Sequence, residues 1–564
     1  MEKNKRIAIG IENYKEFIDK DFYYVDKTLL IRDLLNLGGK VTLFTRPRRF
    51  GKTLALSTIK TFFEKDTDLE GKVTDNAHYF DGMKIMEAGE EYLAHMGRYP
   101  VISLSLKSAK QPDPETAYYT LTEAIADEFK RHRYILRTDA LIEQEKEKYE
   151  ALMTQRAQRA EYVTALKFLS DCLRKYHGIS AVILIDEYDV PLENAYFEGF
   201  YEDMISFVRS VFESALKTND SLEFAVITGC LRIGRESIFT GLNNLEIISV
   251  LNPEYAEYFG FTGEEVRQAF SCFGLETNLR EAQEWYDGYV FGKTEVYNPW
   301  SIINYMKAVT LDGNAYPKPY WSNTSSNRIV RELVERADIA VRGEIEGLIA
   351  GGTIEKTVHE EITYEDIYEN QDNLWNFLFF TGYLKAVSQK FEAGNIYLTL
   401  TIPNEEIRYI YRNTIKEWFA DVIRKADRQP FQEALLAGDC ARAEMLLRRQ
   451  LMESISYHDS SEAFYHGYLL GMLQGVADYV VRSNRETGCG RADIQIVSFD
   501  LNKPAFILEL KRADDYRQMD AQCQKALRQI EDKRYEEELR REGYRDIVRY
   551  GICFCKKSCR IMRK

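Results

Sequence analysis

The 564-residue sequence predicts an α/β protein with more than one hydrophobic core,. Three observations lead there. Over residues 1–250, short apolar runs alternate with amphipathic helical patterns,. Ala181-Val182-Ile183-Leu184-Ile185 is wholly apolar, as suits a strand buried on both faces of a parallel sheet,. About the last 110 residues form a compact α/β pattern of their own,.

Taken in order, Val41-Thr42-Leu43-Phe44 reads as a strand and Leu54 to Phe63 as the helix after it,. Val101 to Leu106 predicts a second strand, residues 115–176 a long charged helical stretch, and Leu222 to Thr228 the strand after Ala181–Ile185. Residues 253–350 read as mainly helical, interrupted at Trp285-Tyr286-Asp287-Gly288-Tyr289 and at Asn298-Pro299-Trp300. An apolar helix at 372–383 precedes two strands around Ala393-Gly394-Asn395, a helix-plus-hairpin pattern like that of a winged helix,. Toward the end the pattern predicts a helix over 461–482, strands Ala492 to Phe499 and Ala505 to Glu509, a charged helix over 513–540, and a closing strand Ile547 to Phe554.

Composition excludes some classes. With 45% hydrophobic, 29% charged and 13% aromatic residues, the chain is an ordinary globular protein and not a disordered one,. No apolar segment follows the charged N-terminus, and no run reaches the roughly 20 apolar residues a bilayer span needs. A cytoplasmic location without membrane contact is expected. The odd count of nine Cys fits a reducing compartment,. Cys553, Cys555 and Cys559 lack the spacing of a zinc site, and Cys553 and Cys555 should share one face of a strand,. The net charge of −14 argues against coating nucleic acid by bulk electrostatics,. The stretch Arg534 to Lys564 is the one basic hint of polyanion contact,.

Gly51-Lys52-Thr53 lies between a predicted strand and a predicted helix, the context of a phosphate-binding Walker A loop,. Backbone N–H groups of Arg49, Phe50 and Gly51 would meet phosphate oxygens at the helix start. Lys52 would reach the β- and γ-phosphates of ATP, and Thr53 would ligate Mg²⁺. The first glycine of the motif is replaced by Arg46, and the loop alone could be a basic turn before an ordinary helix. Asp186-Glu187 strengthens the case: an Asp ending an apolar strand to hold the metal, then a Glu to polarise the attacking water,. Asp189 either joins this site or starts the next turn. Thr228 ends the following strand as a candidate γ-phosphate sensor. Arg232 and Arg235 either stabilise phosphate charge or make surface contacts.

Tyr24-Val25-Asp26-Lys27-Thr28, the Arg46–Thr53 loop, Ile185-Asp186-Glu187-Tyr188-Asp189, Gly241-Leu242-Asn243-Asn244 and Trp285–Tyr289 together resemble the bacterial AAA-ATPase-like proteins that end in a PD-(D/E)XK nuclease-superfamily domain. The resemblance spans nearly the whole chain. It implies that Arg46 is the usual residue at its position and no sign of a dead site. It assigns no role to Asp26 and Lys27. It implies a P-loop ATPase domain at 1–250, a helical lid with a winged-helix-like element at 251–435, and a restriction-endonuclease-like domain at 436–564.

In that light Asp493 on one strand and Glu509-Leu510-Lys511 on the next match the nuclease pattern. Residues 509 and 511 point to the same side of a strand. Asp493 can converge with Glu509 on Mg²⁺, which prefers oxygen ligands. Lys511 can position water or neutralise the transition state. Glu462, on the preceding helix, is a further candidate metal ligand; His466, one turn later, either supports it or packs. Gln529 and Tyr535 lie where related nucleases place polar residues. The expected function is ATP hydrolysis coupled to Mg²⁺-dependent cleavage of nucleic acid, DNA in the first place. The alternatives are a regulatory ATPase with an inert nuclease-like docking domain, and a nucleotide-binding scaffold, against which Glu187 argues. A homo-oligomer and a protein partner stay open.

Overall fold

The computed structural model describes residues 5–37, 39–232, 238–239, 242–321, 339–360, 371–414, 428–454, 462–487 and 490–564. The chain forms two compact units, Met1–Ser326 with Gly351–Ile410, and Asn327–Ala350 with Tyr411–Lys564. No described helix is long and apolar enough to cross a membrane.

The first unit is built on five parallel strands: β1 (Val41–Thr45), β2 (Val101–Ser105), β3 (Ala181–Asp186), β4 (Leu222–Gly229) and β5 (Leu245–Ile248), in the order β2-β3-β4-β1-β5. Every residue of β1 and β3 is buried, as expected of strands covered on both faces,. Helix α1 (Lys52–Phe63) follows β1 directly. The long helical stretch is several helices, among them α2 (Pro114–Arg131) and α3 (Ala165–His177). Asp113 caps α2, its side chain accepting from Thr116 N at 2.9 Å, with Pro114 at the first position; Gly178 ends α3 in a left-handed conformation,.

The middle of the chain is less purely helical than its sequence predicts. Between helices α4 (Gly263–Cys272), α5 (Leu279–Tyr286) and α6 (Pro299–Leu311) lies a small antiparallel sheet of β6 (Phe261–Thr262), β7 (Tyr289–Phe291) and β8 (Thr294–Tyr297). Helix α7 (Gln371–Phe380) does lead into a hairpin, β10 (Lys385–Glu392) and β11 (Asn395–Thr401), and β9 (Ile354–Thr357) adds to its β11 edge.

The second unit carries a mixed sheet in sequence order: β12 (Tyr479–Thr487), β13 (Gly490–Ser498), β14 (Ala505–Arg512), β15 (Ile547–Cys555) and β16 (Ser558–Arg563). Only β14 and β15 run parallel. Two expectations fail here. The helix at 461–482 is α9 (Glu462–Met472) alone, and Tyr479 onward is a strand. The charged helix at 513–540 is α10 (Met519–Asp532) and α11 (Glu536–Glu542), broken where Arg534 takes φ +53°.

Strand alternation separates the faces. Leu508, Leu510, Tyr550, Ile552 and Phe554 enter one core with α8 (Cys440–Ser454) and α9. Ile507 packs on the other face with Ile530, Tyr535 and Leu539, and Cys553 and Cys555 with Met519 and Cys523. Glu509 and Lys511 therefore point toward α10. Gly551 allows that helix to approach: a Cβ there would stand 2.3 Å from the Cys523 carbonyl oxygen. Gly551→Ala is expected to lower stability by about 1–3 kcal/mol, because α10 must move off the sheet. The midpoint of denaturant unfolding checks this, and an unchanged midpoint would refute it.

Candidate nucleotide and metal sites

The strand order brings the ATP-site candidates together. Although β4 follows β3 in the chain, it lies between β3 and β1 in the sheet. Thr228, near its end, is thus flanked by the loop after β1 and by Asp186 at the end of β3. Its hydroxyl donates to Asp186 Oδ1. This is the crevice beyond the carboxyl ends of a parallel sheet, where α/β proteins hold ligands.

The loop after β1 turns into α1 through Arg49 and Gly51, both left-handed (φ +69° and +83°). Gly51 is the N-cap and Thr53 the second residue of the helix. Lys52 is buried, its Nζ donating to the carbonyls of Arg46 and Pro47 at 2.8 and 2.9 Å. Glu187 also takes a left-handed φ of +53°, a conformation that costs on the order of 1 kcal/mol or more for a non-glycine residue,. Burial raises its carboxyl pKa, the Asp186 and Asp189 charges push further, and Lys52 and Lys107 oppose them. Lys107, just past β2 and bonded to Glu12 at 2.8 Å, was not singled out from sequence; its place beyond the strand paired with β3 is the signal.

Asp189 holds the turn after β4 through one oxygen, while its charge also bears on Glu187. Its Oδ2 accepts from Cys230 N (2.8 Å) and Leu231 N (3.2 Å), locking the chain after β4. Arg232 pairs with Glu360 at 3.2 Å. Arg235 and Gly241 lie outside the described residues.

The side chains of the loop are packed or paired. Arg46 is fully buried between the rings of Phe259 and Phe291, 5.3 and 5.1 Å from their centroids. Phe50, expected near nucleotide, is fully buried too, packed on Tyr289 and Phe291 at 4.9 and 5.2 Å; only its backbone is left to the site. Arg49 stacks on Trp300 at 4.4 Å, and Arg48 pairs with Glu193.

The Tyr24–Thr28 motif also has a structural role. Asp26 accepts from Thr28 N (2.9 Å), Thr28 Oγ1 (2.6 Å) and Lys84 N (2.7 Å). Lys27 bonds both oxygens of Glu265 (2.6 and 2.5 Å), the residue that also caps α4.

In the second unit, the pairing Ile494↔Leu508 sets Asp493 opposite Glu509 one step further along. Asp493 Oδ2 accepts from Leu510 N at 2.8 Å. Glu509 is 1% exposed; its Oε1 accepts from Lys511 Nζ at 3.1 Å and from Gln529 Nε2, while Oε2 has no partner among the described residues. Burial first, then the Asp493 charge, pushes Glu509 up to about 7. Tyr535 stands 3.4 Å from Gln529. His466 Nε2 lies 2.9 Å from the Asp493 carbonyl oxygen and 3.2 Å from Ser483 Oγ, so it braces β13. Glu462 opens α9, but its side chain lies outside the described residues.

Two repelling carboxylates, one with a buried oxygen lacking a donor, fit a divalent cation of oxygen preference. Among the described residues no group of three or more His, Cys, Asp or Glu gathers as a metal site. The basic terminal stretch is largely neutralised in place: Arg549 and Lys564 pair with Glu531, and Arg560 with Asp520 and Glu444.

Known proteins and family models are similar to this chain, in part or over nearly all of it. Residues 8–239 match the family model "Predicted AAA-ATPase", and residues 460–564 match the PD-(D/E)XK nuclease superfamily. An "Uncharacterized protein in vnfD 5'region" of Azotobacter chroococcum mcd 1 is 24% identical over 98% of this chain and 97% of its own length. A leucyl/phenylalanyl-tRNA–protein transferase of Syntrophotalea carbinolica is 36% identical over only 14% of this chain and 34% of its own. A Walker-type ATPase of Pyrococcus abyssi aligns in structure with 14% identity and a TM-score of 0.37, over 69% of this chain and 96% of that one. In this order along one chain, the family models identify an AAA-ATPase-like region over residues 8–239 and a PD-(D/E)XK nuclease-superfamily domain over residues 460–564.

Proposed function

We propose that the chain hydrolyses ATP with Mg²⁺ in its N-terminal domain, and that this turnover controls Mg²⁺-dependent cleavage of nucleic acid, DNA in the first place, by its C-terminal domain. The observation that carries the reading is the buried Glu509 set against Asp493, with Lys511 on the same strand face.

At the first site, Thr53 and Asp186 would hold Mg²⁺, Lys52 the β- and γ-phosphates, and the amides of Arg49, Phe50 and Gly51 the phosphate oxygens. Glu187 orients and polarises water, and Thr228 senses the γ-phosphate through its bond to Asp186,. At the second site, Asp493, Glu509 and Glu462 would hold Mg²⁺, which supplies Lewis acidity toward a phosphate oxygen and toward water. Lys511 holds water or offsets charge developing on the phosphate, and Gln529 keeps Glu509 aimed,.

Three outcomes are expected. Purified protein with Mg²⁺ should cut at least one of plasmid, linear single-stranded DNA or RNA. Glu509→Ala with Lys511→Ala should cut none, with cleavage by the wild type changing on addition of ATP. Retained ATPase with no cleavage of any substrate would instead favour a regulatory ATPase with an inert docking domain. Glu187→Gln should lower ATP turnover by about 100-fold or more while MgATP still binds, measured by phosphate release; unchanged turnover would remove Glu187 from its role.

The third concerns pH. Glu509 has its pKa raised in the fold to about 7 from 4.5, so the folded chain keeps a proton that the unfolded chain releases. The stability tied to that proton is fully present below pH 4.5 and is lost as pH rises through 7,. Glu509→Gln should therefore stabilise the metal-free protein at pH 8 by roughly 1–3 kcal/mol and far less at pH 5. Denaturant unfolding in chelator checks it; an equal effect at both pH values would contradict it.

A further inference from the structure

Walker A loops start with a glycine, and this one starts with Arg46,. The backbone shows that position 46 has no need of glycine. The left-handed conformations in the loop fall on Arg49 and Gly51, and Arg46 takes no positive φ,. What the position does need is an anchor. The Arg46 side chain is 0% exposed and has no carboxylate partner among the described residues. Its Nη1 donates to the carbonyls of Thr45 and Ile248, both at 3.0 Å, joining the ends of β1 and β5. Its Nε and Nη2 have no acceptor among the described residues, and its guanidinium lies between Phe259 and Phe291. Burial lowers its pKa only to about 9, so it is charged at neutral pH.

We propose that Arg46 is a positioning residue for the nucleotide, acting through Lys52, and that Phe259 and Phe291 are its clamp. The proposal rests on the reading that this loop binds ATP. The link to Lys52 is direct: the Arg46 carbonyl is one of the two oxygens that hold Nζ, at 2.8 Å. Pinning the side chain fixes that carbonyl, and with it the lysine.

The clamp extends along the loop. Phe291 also touches Phe50 at the far end, at 5.2 Å. The Trp321 indole donates to the Arg48 carbonyl at 3.3 Å, and Trp300 covers Arg49. Pro47 packs over Gly382, where a Cβ would come within 2.9 Å of it. Each of the five residues from 46 to 50 is thus held by residues drawn from 259–321 and by Gly382. The Trp285–Tyr289 and Asn298–Trp300 motifs, which no step of ATP chemistry uses, thereby acquire a role. They frame β7 and α6, which deliver Phe291 and Trp300.

The test runs against the consensus. Arg46→Gly restores the full glycine spacing of the motif, yet it should weaken MgATP binding by about tenfold or more and raise KM more than it lowers kcat. Arg46→Lys, which keeps the charge and a donor, should recover part of the affinity. Phe291→Leu, a milder change, should weaken binding in the same direction. Binding is read by titration with a fluorescent ATP analogue in the full chain, at a temperature where circular dichroism shows each variant folded. Wild-type affinity in folded Arg46→Gly, or in Phe291→Leu should Arg46→Gly fail to fold, overturns the proposal. Lys52→Ala separates the two claims. If the wild type binds, Lys52→Ala does not and Arg46→Gly does, only the clamp falls. If the wild type itself does not bind MgATP, the nucleotide reading falls and the clamp with it.

Discussion

Like charges held side by side out of water repel, and both candidate sites are arranged around that penalty. In the C-terminal sheet, antiparallel register leaves Asp493 and Glu509 facing each other, and α10 closes over Glu509 until it is 1% exposed. Gln529 and Lys511 satisfy one oxygen and leave the other without a donor among the described residues. In the N-terminal domain, Asp186 and Glu187 are consecutive, and the second is raised by burial and by the first. A divalent cation would relieve this arrangement in a way that a single lysine does not, because it would bring two charges, and at the C-terminal site it would meet the Glu509 oxygen that lacks a donor among the described residues,.

Sheet topology brings these groups together. Parallel strands bring their carboxyl ends to one edge, so the loop after β1, Thr228 and Asp186 meet there although some 180 residues of sequence separate the loop from Thr228,. In the C-terminal domain alternation has the same effect: Glu509 and Lys511 share a face because they are two residues apart, while Leu508 and Leu510 fill the opposite core,. One strand therefore serves packing and chemistry at once.

That division explains what was legible. Strands buried on both faces, such as Ala181–Asp186, are apolar nearly throughout and stand out in the sequence. Lys52 after Gly51 stands out by its place between a strand and a helix, whereas Glu509 and Lys511, common residue types at a common spacing, stand out only beside the strand pattern and the family resemblance. The edge strand Tyr479–Thr487 did not stand out: after Tyr479-Val480-Val481 its residues are Arg, Ser, Asn, Arg, Glu and Thr, and it follows an apolar helix with a short turn between. The two- to four-residue strands Phe261–Thr262, Tyr289–Phe291 and Thr294–Tyr297 are too short to show a period,. Nor does any local pattern tell that Phe50 faces Tyr289, since that contact crosses more than two hundred positions.

The loop Arg46–Phe50 shows why a specific motif need not be a chemical one. Its unusual residues invite a phosphate-binding role, since two further arginines follow Arg46. Their side chains are engaged elsewhere, with Phe259 and Phe291, with Glu193 and with Trp300. Asp26 and Lys27 likewise hold Thr28, Lys84 and Glu265. A glycine-rich loop is free to wrap a phosphate because little restrains its backbone; a loop rich in large side chains must be held in shape through those side chains. The polar amides and Lys52 are then what the loop presents, and the arginines and Phe50 are what keep it there.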